Sequence, residues 1–274
     1  MSGNSLVSLV DAHCHLNFDE FDADRRQVVE RAQENGVKRI IIPGIDVETS
    51  NTAIKYANEF PQVFAAVGVH PNSGLSWNQD SLNEIRQLAA DGKVVAIGEI
   101  GLDHYRDHTP WELQRSILIQ QLELATELEL PVIIHHREAA EEIADILEDW
   151  RNILLSKDLK LADQPGELHS FSGTFEFANK IVAYKFKLGI TGPVTFTNSK
   201  ELQSIVRDLP LDCLLVETDS PYLSPHPFRG KRNEPANVRI VAEKIAQIKS
   251  VTIEEVARST TEVAAKLFNW RDIH

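Results

Sequence analysis

Eight short apolar runs recur along this chain, and each is followed by a stretch with helical periodicity. The runs are SLVDAHC, KRIIIPGI, VFAAVGVH, VVAIGEIG, PVIIHH, ELHSFS, KLGITGPV and CLLVETD. The helical stretches include FDADRRQVVERAQENG, closed by Gly36, and TPWELQRSILIQQLELATELEL, where Pro110 suits a first helical turn. A last helical stretch, TIEEVARSTTEVAAKLFNW, closes the chain. Regular alternation of this kind means parallel strands covered by helices. Eight units within 274 residues have the count and size of a (β/α)8 barrel. The expected fold is therefore α/β, a TIM-type barrel, with residues 1–274 forming one domain. An open doubly wound sheet is the runner-up, but no glycine-rich dinucleotide loop follows the first run. LLSKDLKLADQPGE reads as a polar connector before the sixth strand. SPYLSPHPFRGKRNEP, after the eighth, is too long to be a mere turn.

Composition narrows the setting. With 42% hydrophobic residues the chain can bury one large core. Its net charge of −13, from 28 basic and 41 acidic residues, argues against non-specific binding to nucleic acid or anionic membrane. A local basic patch is still allowed. Two cysteines, Cys14 and Cys213, are too few for a disulfide framework and point to a reducing compartment. No signal-peptide pattern and no uninterrupted apolar stretch of membrane-spanning length is present. A cytoplasmic protein with no membrane association, acting as a monomer, is expected.

In such barrels the C-terminal strand ends carry the active site. Five of the ten histidines fall there: His13 and His15 after the first run, His70 after the third, His135 at the fifth and His169 at the sixth. Glu99 ends the fourth run, and Glu217 and Asp219 the eighth. Side chains at i and i+2 share a face of a strand, so His13 and His15 can aim at one ion while Asp11 and Cys14 point elsewhere. Glu99 can bridge two ions through its two oxygens, with Asp219 completing the first site and His135 and His169 the second. Imidazole with carboxylate suits zinc, manganese, iron or nickel better than an all-oxygen magnesium site.

Taken one at a time, each of these residues has a bland reading. A lone His-X-His pair is more often ordinary structure, Asp219 before Ser-Pro can form a turn, and His135 or His169 can be a satisfied core histidine. Jointly the bland reading crowds unpaired polar groups into one barrel mouth, which is costly. His70 either touches a metal-bound substrate or packs beside Pro71. Cys14 reads as core and Glu217 as a partner behind the ligands. His104, His108 and His136 are expected at the surface or rim, and His226 in the long loop.

The motifs DAHCHL, GVHP, GEIGLD, HHREA, HSFSG, ETDSPYL and RGKRNEPA together resemble the TatD family of metal-dependent hydrolases, related to deoxyribonucleases. The resemblance runs from Asp11 to the loop after Ala236 and implies a TIM-type barrel with two divalent ions. It places His13, His15, Glu99 and Asp219 on one ion, and Glu99, His135 and His169 on the other. His136 stands where the family often has cysteine, and His104 where tyrosine is common. Related amidohydrolases often bridge their metals with a modified lysine on strand four, where this chain has Glu99.

Two ions sharing an open face suggest hydrolysis by an activated water, with Asp219 and Glu99 as the catalytic carboxylates. A phosphodiester fits, because Arg137, on the same predicted face as His135, can donate a bidentate pair to phosphate. Arg229, Lys231 and Arg232 form a basic cluster on the loop after strand eight, where barrels often bind phosphate; a solvated loop is the bland alternative. An acidic protein with one small basic patch favours a DNA end or single-stranded DNA over a wrapped duplex, and exonucleolytic attack at the 3′ end is expected. The same centre can instead serve a lactone, amide or aminoacyl ester, or a barrel that holds metal without turnover.

Overall fold

A computed structural model describes residues 7–270. The barrel expected from the alternation is what the chain forms. Eight parallel strands follow one another in sequence order around the sheet: β1 Leu9–Asp11, β2 Val37–Pro43, β3 Val63–Val67, β4 Val94–Asp103, β5 Val132–Arg137, β6 Gly166–Leu168, β7 Lys187–Ile190 and β8 Leu214–Val216. The helices are α1 Arg25–Glu34, α2 Val47–Glu59, α3 Ser81–Leu88, α4 Trp111–Leu128, α5 Ala140–Ser156, α6 Phe175–Ala183, α7 Lys200–Asp208, α8 Val238–Lys249 and α9 Ile253–Leu267. Gly36 has φ +88°, as a helix-ending glycine should. Pro110 sits immediately before α4 as its cap residue, one position earlier than its sequence suggests. Among the described residues, no helix is long and apolar enough to cross a membrane.

β1 and β8 are only three residues long, and polar bonds complete their seam. The Asp11 carboxylate accepts from the backbone N–H of Thr218 at 2.8 Å and from its hydroxyl at 2.7 Å. Beyond the strands, Asp219 N–H donates to the His13 carbonyl and His15 N–H to the Ser220 carbonyl, at 2.9 and 2.7 Å. Cys14 is fully buried between them and receives the Ser220 hydroxyl on its sulfur, so it is a core residue as its alternation implied.

Alternation along the strands sorts the core into two layers. Ile40, Ile42, Val67, Ile134, Leu188 and Val216 face the helix layer. Ile41, Ala66, Ala96, Ile133 and Leu215 form a second cluster, closed by Val263 and Leu267 of α9 and by Phe268 just after it. On β5 the same alternation sends His135 one way and His136 the other. His136 therefore does not lie at the surface or rim as its sequence position suggested. It is buried, edge-on to Phe171 and Phe177, and burial drives its imidazole down to about 3.

Candidate metal centre

Most of the polar residues at issue follow the strands rather than lie within them. Paired strands β1, β6 and β8 stop at Asp11, Leu168 and Val216, and His13, His15, His169 and Asp219 occupy the turns just beyond. Glu99 and His135 lie inside β4 and β5. Asp219 adopts a left-handed backbone, φ +53°, which aspartate tolerates better than most residues.

These side chains converge on Glu99, which is 2% exposed. Its Oε2 lies 3.4 Å from His13 Nε2 and 3.6 Å from His15 Nε2. Its Oε1 lies 2.9 Å from His135 Nδ1, 3.5 Å from His70 Nε2 and 3.8 Å from His169 Nε2. Asp219 Oδ1 stands 3.5 Å from His15 Nε2 and 3.9 Å from the Nε2 atoms of His13 and His169. The two oxygens of one carboxylate thus face two different sets of imidazoles. Donors held ~2.1 Å from a common ion lie about 3.0–3.4 Å from one another. The His13–His15 separation of 3.3 Å and most of the distances above fall close to that spacing, and the nitrogen–carboxylate donor set suits a transition-series cation.

The far nitrogens of the rings are also managed. Asp103 Oδ2 lies 3.2 Å from His135 Nε2, leaving Nδ1 toward Glu99. Asp103 is itself held by the Asn72 side-chain amide and by the N–H groups of Tyr105 and Arg106. Glu217 Oε2 lies 3.2 Å from His169 Nδ1, and its Oε1 accepts from Ser170 N–H at 2.6 Å. Glu217 fits there because β7 has Gly189 beside it. A Cβ at that position would stand 1.8 Å from Glu217 Oε1. His70 Nδ1 accepts from Asn72 N–H, so its proton sits on Nε2 and is offered to the centre. His70 is thus placed as a donor to Glu99 or to a bound substrate.

Two buried glutamines of α4 fix the loops that carry these groups. Gln121 brackets Val69, beside His70, accepting from its N–H at 2.7 Å and donating to its carbonyl at 3.0 Å. Gln114 does the same for Asp103 and also donates to the Thr109 carbonyl. Neither glutamine, nor Asp103, stands out in the sequence. Their only signal is a polar residue on the apolar face of a helix, or the sixth residue of GEIGLD, a motif already read for Glu99.

The electrostatics are those of crowded ligands without a cation. Burial disfavours a charged His169, yet Glu217 and Asp219 raise it to about 10. Burial lifts Asp219 to about 7, with His169 opposing and Glu99 adding to the rise. Burial lowers His15 to about 4, and burial with His135 lowers His70 to about 3. Burial works against a charged Glu99, but His70 and His13 hold it well below the usual carboxylate range. Metal binding to such a set displaces protons from His169 and Asp219.

Two cavities of about 580 and 590 Å³ flank the centre and share His135, Arg137, His169, Asp219 and Leu223 in their walls. Arg137 thus stands at the centre's edge, its guanidinium over the Tyr105 ring at 3.7 Å. The loop cations stand farther out, and none of Arg229, Lys231 and Arg232 lines either cavity. Arg232 is tied to the Asp24 carboxylate and the Glu20 carbonyl. Arg229 lies over Phe196 and Lys231 near Phe228. His226 is exposed, and His104 is stacked on Trp111.

A family model described as "TatD related DNase" matches residues 10–269. The chain is 42% identical over 260 residues to the metal-dependent hydrolase YabD of Bacillus subtilis, covering 95% of this chain and 98% of that one. It is 37% identical over 261 residues to the 3′-5′ ssDNA/RNA exonuclease TatD of a Rahnella strain, covering 93% and 95% respectively. The crystal structure of YjjV, a TatD homologue from Escherichia coli, superposes with a TM-score of 0.88 at 30% identity, covering 96% of this chain and 98% of that one.

Proposed function

The chain belongs to the TatD family of metal-dependent hydrolases, and from that premise we propose that it is a divalent-metal-dependent exonuclease acting on the 3′ ends of single-stranded DNA. The observation that carries the proposal is the placement of five imidazoles and Asp219 around the two oxygens of Glu99. In this reading His13, His15, Glu99 and Asp219 would hold one ion, and Glu99, His135 and His169 would hold a second. A bound pair of divalent ions supplies an acidified water and a charge clamp for the attacked phosphoryl group.

The protein's own groups do the rest. Asp219, whose Oδ1 stands within 4 Å of the imidazoles of His13, His15 and His169, would take the proton of the attacking water and return it to the leaving oxygen. Arg137 donates to a non-bridging phosphate oxygen, and His70 Nε2–H orients the same group. The rim favours a single strand. Six of the eight large exposed hydrophobics among the described residues, including Tyr105, Trp111, Tyr222 and Phe228, lie on loops or helix starts after the strands. Aromatic faces beside Arg137 and Lys231 offer stacking for bases and charge for the backbone, whereas a net charge of −13 discourages wrapping of duplex.

The test is a 5′-labelled oligonucleotide incubated with purified protein and manganese, zinc or magnesium, beside ester and lactone substrates. A ladder shortening from the 3′ end, faster on single strands than on closed circles, is expected. Turnover of ester or lactone with an intact oligonucleotide would overturn the nuclease reading while keeping the hydrolase.

A further inference from the structure

Three of the five imidazoles around Glu99 have their far nitrogen engaged: His135 by Asp103, His169 by Glu217, and His70 by the Asn72 amide. His13 does not. Its Nε2 faces Glu99, and its Nδ1, on the other side of the ring, is buried with no hydrogen-bond partner. The ring is stacked on His169 at a centroid distance of 3.5 Å, so it is confined in plane but not fixed in tautomer.

Glu167 shows the complementary anomaly. It lies on β6, two residues before His169, and it is fully buried. Neither of its carboxyl oxygens has a hydrogen-bond partner. Buried polar groups without partners are rare and costly, and an apolar side chain would fill the same space without that cost. A ring nitrogen of His13, an oxygen of Glu167 and an oxygen of Glu217 lie within 4.8 Å of one another. Glu217 is already committed to His169 and to the Ser170 N–H. Of the two acids beside His13, Glu167 is therefore the one with acceptor capacity to spare.

We propose that Glu167 is a positioning residue for His13, accepting the Nδ1–H of its ring, directly or through one water, so that the Nε2 lone pair is presented to the metal centre. Charged or neutral, a carboxyl keeps an oxygen free to accept this bond. Glu167 then does for His13 what Asp103 and Glu217 do for His135 and His169. Such partners fix ring orientation and raise ligand basicity. The proposal rests on the reading of His13 as a ligand.

The experiment compares wild type with Glu167→Leu, Glu167→Gln and His13→Ala by chelator competition for zinc and manganese, and by thermal melting of the metal-free proteins. Glu167→Leu should weaken the binding of one metal equivalent by about 10–100-fold. Glu167→Gln, whose amide oxygen still accepts, should restore affinity to within a few-fold of wild type. Metal-free Glu167→Leu should melt at or above wild type, because it removes an unpaired buried carboxyl. In ¹⁵N-imidazole spectra the His13 Nδ1–H signal should persist in Glu167→Gln and be lost in Glu167→Leu. Wild-type metal affinity in Glu167→Leu, with affinity lost in His13→Ala, overturns the role of Glu167 and leaves the ligand reading standing. Full affinity in His13→Ala overturns the ligand reading itself. Equal destabilisation of both metal-free Glu167 variants marks a structural role and also refutes the proposal.

Discussion

Replacing Glu99 by glutamine tests the centre most directly. The substitution keeps the shape and one acceptor oxygen but removes the negative charge that both proposed ions would share. Glu99 is 2% exposed, so the lost charge is not replaced by solvent. A unit charge pair at ~4 Å with an effective dielectric near 20 is worth about 4 kcal/mol. At ~1.4 kcal/mol per decade, that is about a thousandfold in affinity. A divalent ion feels twice the charge, and the remaining amide dipole returns part of the loss, so a thousandfold is a working floor for each ion. The assay is metal content after equilibrium dialysis at fixed free zinc or manganese, with circular dichroism to show the fold. Glu99→Gln should retain less than one ion per chain where wild type retains two. A folded variant that keeps two ions with affinity within tenfold of wild type would show that Glu99 is not the shared anion, and the proposed arrangement would fall with it.

Other residues make independent predictions. Asp219→Asn should abolish turnover while the chain still folds, as measured by oligonucleotide hydrolysis beside a melting curve. In metal-free protein Asp219 binds its proton up to about pH 7, whereas in the unfolded chain it loses it near 3.8. The folded state therefore holds more protons between those values, and stability declines as pH rises through that window. The urea-denaturation advantage of Asp219→Asn over wild type should accordingly grow from pH 4 to 7 and then level off; a constant difference would refute the assignment. Gln121→Leu strands both backbone groups of Val69 and should cost roughly 2 kcal/mol or more, read as a shifted urea midpoint. Arg232 and Arg31 hydrogen bonds hold Asp24 down to about 2, so its contribution is present above pH 4 and fades as pH falls toward 2. Asp24→Asn should speed tryptic cleavage at Arg229–Arg232 at neutral pH and shrink the acid-induced part of the stability loss.

The barrel was legible because its physics is periodic. Eight strand-like runs separated by amphipathic stretches leave little choice of topology, and the strand ends mark the rim. The convergence around Glu99 was legible for the same reason: His13, His15, His135, His169 and Asp219 all carry metal-binding chemistry at positions the topology brings together. His136 was misplaced because the doublet in IIHHR gives no sign of which histidine faces the barrel interior. The register of β5 decides it, and the outward one meets Phe177 of α6 rather than water. Arg232 reads as one of three equivalent loop cations, yet the fold sets it beside Asp24 of a segment more than two hundred positions away, where it pins the loop after β8 to the start of α1.

Residues behind the ligands were harder to read, for a physical reason. The candidate ligands lie in or just after the C-terminal halves of the strands, so position and chemistry coincide. A partner of a ligand's far nitrogen need only reach that nitrogen from any neighbouring element, as Asp103 does from four residues beyond Glu99 and Gln114 does for Asp103 from α4. Gln114 lies on the apolar face of α4 and Glu167 in the barrel interior, where sequence patterning expects apolar residues. Glu167 illustrates this most sharply. In ELHSFS it occupies an inner β6 position that isoleucine fills on β5, and only its burial beside His13 gives a carboxyl there a purpose. In a barrel of this kind, an acid that breaks the apolar alternation one or two residues before a proposed ligand is a place to look for the next group inward.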